Sequence, residues 1–152
     1  MITREKNLII PGTKILLILA ILTISLGGLI YILLRPTESI FFGWIKTVGL
    51  GNELNRLRDL QLFITSTVPE WIIYSLPNGL WAFTYAAIIT HIWWRSQSIL
   101  KFFWITTIPL LVLGYEFLQI TELLSGTFCM QDLLFGVAGI ISGIFIGILT
   151  SK

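Results

Sequence analysis

Apolar positions come in long runs rather than alternating along the chain. From Ile15 to Leu34 no charge interrupts about 20 residues, which at ~1.5 Å per residue covers the ~30 Å hydrocarbon core of a bilayer. Three further runs follow, at about 77–94, 102–120 and 133–149. In hydrocarbon every backbone donor and acceptor must be satisfied internally, and barrel strands would show a period of two, so these runs predict helices. The first continues directly into Arg35-Pro36 without the small-residue cleavage site of a secretory signal, so it reads as a retained anchor. The expectation is an all-α membrane protein, one integral domain over 1–152 built as a bundle of four transmembrane helices.

The segment between the first two spans, about 38–75, has a different texture. Ile40, Phe41, Trp44, Ile45 and Val48 recur at helical spacing opposite Lys46 and Thr47, predicting an amphipathic helix on the membrane surface. Gly49 and Gly51 break it, and Glu53, Arg56, Arg58 and Asp59 form a polar stretch before Leu60 to Thr67 turns apolar, as an interfacial or re-entrant piece. Pro77-Asn78-Gly79 punctuates the entry to the second span, although the uncharged run from Trp71 to Trp94 is also long enough to be one tilted or proline-interrupted helix. Pro109 is expected to kink the third span, with Thr106 and Thr107 satisfying the backbone groups it frees.

Composition agrees: 55% hydrophobic and 12% charged is too apolar for a water-soluble domain. The net charge of +2 is dispersed, which sets nucleic acid aside. One cysteine, Cys129, and one histidine, His91, give neither an internal disulfide nor a zinc-type ligand set, so no metal or cofactor is expected. Lys and Arg placement puts Arg4, Lys6, Lys14, Arg95, Lys101 and Lys152 on one side, predicting that both termini are cytoplasmic.

The fourth span carries Gly136, Gly139, Gly143 and Gly147, the last three on one helical face, where missing side chains let another backbone approach; helix packing is the reading preferred over ligand binding. Acidic groups near hydrocarbon are functional candidates by default. Glu116, Gln119 and Glu122 recur every third residue late in the third span, and Asp132 opens the fourth from the same membrane side. Asp132 is equally readable as a complement to its own helix dipole, and Glu122 as a solvated loop residue. Glu116 lies near a helix C-terminus, where the dipole disfavours an anion, so it needs protonation, a cation or a basic partner; Arg56 and Arg58 are the candidate charge partners. His91 falls toward the opposite side, as an interfacial or helix-bonded histidine, and no Ser/His/acid set or nucleophile elbow accompanies it.

Glu116-Phe-Leu-Gln119, then Gly126, Asp132, Gly139 and Gly143, resembles the C-terminal half of the VanZ-like family of small bacterial membrane proteins. Gly136 stands where that family often has Asn, and the family's earlier Asp-Lys and His-Phe signature is represented at best by Asn78-Gly79 and Phe83. The resemblance implies a multi-pass protein of the bacterial cytoplasmic (inner) membrane, in a family whose named member is associated with glycopeptide resistance. The leading functional expectation is a small cell-envelope protein whose outward acidic recess binds an amphiphilic, lipid-linked or cationic ligand. A second reading is an assembly subunit that packs on a membrane protein partner, or on its own copy, through the glycine-rich fourth helix. An intramembrane enzyme on lipid-linked substrates, with Glu116 as acid or base, ranks below both.

Overall fold

The structure, a computed structural model, describes residues 11–36, 40–59, 68–121 and 128–151. They form α1 (Pro11–Leu34), α2 (Ile40–Thr47), α3 (Gly51–Asp59), α4 (Glu70–Trp93), α5 (Leu100–Ile120) and α6 (Met130–Thr150). The protein is all-α, and α1, α4, α5 and α6 are each long and apolar enough to cross a membrane. Their outer faces carry exposed Leu, Ile and Phe side chains such as Ile21, Leu22, Phe102, Leu110, Ile141 and Phe145, as a multi-pass protein solvated by lipid requires.

The second span is the tilted or interrupted alternative rather than a helix starting at residue 77. α4 runs through Pro77, which is fully buried. Proline removes one hydrogen bond, to the carbonyl of Ile73, but its ring packs and the remaining ladder is kept, so a buried helix continues past it. α4 is the central element: 44% of its apolar window is buried, against 11% for α5. Its largest interface is with α6, its second with α1, while α5 is held lightly by α4 and α6.

Small residues explain the α4–α6 contact. Ser75, Gly79, Ala82, Ala86, Ala87 and Thr90 line the face of α4 that meets Gly139, Gly143 and Gly147. A Cβ at Gly139 would lie 3.0 Å from the Phe83 nitrogen, and one at Gly147 would lie 2.7 Å from the Ala87 carbonyl oxygen. Backbones approach this closely only where side chains are missing, and in lipid such packing replaces the hydrophobic effect as the force between helices. The glycine face is therefore covered by this chain's own α4; Gly136 differs, meeting Val112 of α5. On the α1 side, the Thr23 and Thr84 hydroxyls bond at 2.6 Å in mid-span.

One local expectation is corrected. Thr106 and Thr107 donate to the carbonyls of Phe102 and Trp104, three residues and one residue before the Ile105 carbonyl that Pro109 frees, because a threonine hydroxyl reaches only three or four residues back. α2 forms where an amphipathic helix was expected; Phe42 is its buried residue, stacked on Tyr31 at 6.0 Å, while Trp44 and, just beyond the helix, Val48 face outward. Leu60 to Thr67 lies outside the described residues.

Candidate functional site

At one end of the bundle, four helices bring polar side chains around a recess of about 320 Å³. α1 ends there with Tyr31 and Arg35, the early part of α4 supplies Asn78 and Trp81, the last turns of α5 supply Tyr115, Glu116 and Gln119, and the first turn of α6 supplies Asp132. α1 and α5 flank the α4–α6 pair, so the recess lies between their ends with α4 and α6 as its floor. Three of the four acidic and amide candidates thus converge: Glu116, Gln119 and Asp132. Glu122 lies outside the described residues.

Glu116 is 6% exposed. The Cys129 backbone bonds to its carboxyl group, yet Oε2 is buried without a partner among the described residues. A buried polar atom is costly to leave unmatched, so this oxygen is the acceptor of the recess with most to gain from a donor. Asp132 is differently held: the fully buried Ser75 hydroxyl donates to its Oδ1 at 2.5 Å, while the carboxylate also complements the N-terminal dipole of α6. Both earlier readings of Asp132, dipole partner and recess group, apply at once.

The basic residues fall elsewhere than expected. Arg58 donates to the carbonyls of Ile32 and Arg35 at 3.1 and 2.7 Å and sits 5.0 Å over the Phe42 ring, so it caps the C-terminus of α1. Arg56 pairs with Glu53 on the exposed face of α3, three residues away on the same helix. The cation of the recess is Arg35. Its guanidinium lies 4.8 Å over Tyr31 and 5.4 Å over Tyr74, donates to the Tyr74 carbonyl at 3.2 Å, and leaves Nε buried without a partner among the described residues. Among the described residues Arg56–Glu53 is the only ion pair, so Arg35 closes on neither Glu116 nor Asp132.

Sequence reasoning missed Arg35, Asn78 and Ser75 as site residues. Arg35 was visible only as a charge framing the first span, and Asn78 as turn punctuation and as the uncharged counterpart of a family signature. Ser75 had no motif to announce it, because its role depends on α6 lying against α4.

Two grooves adjoin the recess at Trp81, the first nearly apolar and the second largely apolar. One, of about 280 Å³, runs between α1 and α4 along Gly28, Tyr31 and Ile32. The other, also about 280 Å³, runs between α4 and α5 past Ala82, Tyr85, Leu111 and Val112, and shares Glu116 and Asp132 with the recess. The combined shape is a polar head site with two apolar arms.

At the far end of the bundle His91 links three helices, its Nε2 lying 3.3 Å from the Thr13 hydroxyl and its Nδ1 3.0 Å from that of Thr150. It is the helix-bonded histidine the sequence suggested and plays no part in the recess. No protein-family profile, characterised protein or solved structure matches the chain.

Proposed function

We propose that this protein binds an amphiphile of the bacterial cell envelope, taking its polar head into the recess at Glu116 and its apolar part into the flanking grooves. The observation that carries this reading is the buried, unpartnered carboxylate oxygen of Glu116 in a polar recess that opens into apolar grooves. Binding sites are concave, mostly apolar and fitted with a few convergent polar groups, which is the character of this one. The chain's likeness to VanZ-like proteins, carried by Glu116, Gln119, Asp132 and the glycine series, favours an envelope setting. Lys and Arg placement favours the cytoplasmic membrane with both termini inside, which puts the recess on the outer face. Assembly through the glycine face is disfavoured because α4 covers that face.

A photoactivatable, clickable diacyl lipid added to membranes expressing the protein tests the reading. Label should map to peptides of α1, α4 and α5 that line the recess and grooves. Label spread evenly over the exposed faces of α1 and α5 would overturn it.

A further inference from the structure

The two unmatched groups of the recess differ in kind, and together they constrain the ligand. Among the described residues Glu116 Oε2 is a carboxyl oxygen with no donor and Arg35 Nε a cationic donor with no acceptor. They line one recess without pairing to each other. A head that satisfies both carries a hydrogen-bond-donating cation and an anion on one short linker.

Building on the proposed amphiphile binding, we infer that the recess recognises a zwitterionic lipid head made of a primary ammonium and a phosphate, as in a phosphoethanolamine lipid. The ammonium sits on Glu116, with Asp132 adjacent, and the phosphate sits on Arg35. A primary ammonium offers three N–H donors and can complete the bare carboxylate oxygen. A quaternary ammonium has no N–H; it would gain cation–π contact with Trp81 or Tyr115 but would leave Oε2 unmatched. A head without a cation would set its phosphate into a recess holding two carboxylates and only one arginine. Each carboxyl group has one internal partner, the Cys129 backbone for Glu116 and the Ser75 hydroxyl for Asp132, and of the two only Glu116 keeps an oxygen that is buried and unpartnered among the described residues. The two apolar grooves meeting at Trp81 match two acyl chains descending from one head.

The test is calorimetric titration of the detergent-purified wild-type chain with dihexanoyl lipids bearing phosphoethanolamine, phosphocholine or phosphoglycerol heads, and with free phosphoethanolamine. The expected result is binding of the phosphoethanolamine lipid at least about tenfold tighter than either other lipid, since one charge-assisted hydrogen bond supports about that factor. Free phosphoethanolamine should bind more weakly than the lipid because the grooves stay empty. Glu116→Gln should remove the preference over phosphocholine, and Arg35→Gln should weaken all three lipids. Equal or tighter binding of the phosphocholine or phosphoglycerol lipid would overturn the head assignment while leaving amphiphile binding intact. Free phosphoethanolamine binding as tightly as the lipid would overturn the lipid source. No binding of any of the four would overturn this inference together with the reading beneath it. The lipid comparison uses only the wild-type chain, so a variant that fails to fold does not blunt it.

Discussion

Replacing Gly143 by alanine tests the packing that holds the recess together. An added Cβ would stand 2.8 Å from the Ala86 Cβ and 3.1 Å from the Ala87 nitrogen, and it would meet the Phe83 carbonyl oxygen more closely still. Two of these three neighbours are backbone atoms, which cannot rotate away. Ordinary contact therefore requires α4 and α6 to separate by roughly 0.5–1 Å, a gap that forfeits about a quarter to a half of each dispersion well along the largest interface of the bundle. Over-packing of this type costs about 1–3 kcal/mol, and the better helix propensity of alanine returns roughly 0.5–1 kcal/mol. The expected net loss is ~1–2 kcal/mol. Gly114→Ala is the control: nothing lies within 4 Å of its added Cβ, so only the propensity gain remains, ~0.5–1 kcal/mol of stabilisation. Equilibrium unfolding in mixed dodecylmaltoside and dodecylsulfate micelles, followed by far-UV circular dichroism, reads both. Midpoints that move in opposite directions are expected. A Gly143→Ala protein as stable as wild type, or two variants shifting alike, would refute the close α4–α6 approach.

Arg58→Ala should destabilise by about 1–2 kcal/mol by uncapping the carbonyls of Ile32 and Arg35, whereas Arg56→Ala should stay within about 0.5 kcal/mol because its pair with Glu53 is exposed; the same unfolding assay separates them. His91→Ala should cost about 1 kcal/mol through loss of its contacts to Thr13 and Thr150, with lipid retention unchanged because it lies at the far end. Ser75→Ala should cost a similar ~1 kcal/mol and also lower lipid retention in native mass spectrometry, since Asp132 loses the hydroxyl that orients it. Cysteines placed at Ser98 and Asn52 should be labelled by a membrane-impermeant thiol reagent from opposite sides in oriented vesicles; labelling from one side would contradict the four-span topology.

The four spans were legible in the sequence because hydrocarbon imposes a length and a composition that few other structures satisfy. The glycine series was legible too, since four-residue spacing fixes a face, although which helix would fill that face was not. The start of the second span was left between two readings, a helix from about residue 77 and one continuous from Trp71, and the structure has the continuous one. Pro77-Asn78-Gly79 has the composition of a turn, and only the packing of Pro77 and Gly79 against neighbouring helices keeps α4 continuous. At the site, Glu116, Gln119 and Asp132 stood out because polar groups next to hydrocarbon demand explanation. The cation did not: Arg56 and Arg58 were the expected partners on grounds of membrane side alone. Arg35 reaches the recess instead because α1 ends beside α4, placing the guanidinium between Tyr31 and Tyr74, while Arg58 is drawn to the carbonyls at the end of α1.

Native mass spectrometry of the chain purified gently from its host membrane, wild type beside Glu116→Gln, tests the central claim most directly. Glutamine keeps the shape of the side chain and removes the charge that should hold the head group. Lipid-sized adducts are expected on the wild type and should be largely lost from Glu116→Gln while its unfolding midpoint is unchanged. Equal adducts on both proteins, or none on the wild type, would contradict a binding role for the recess.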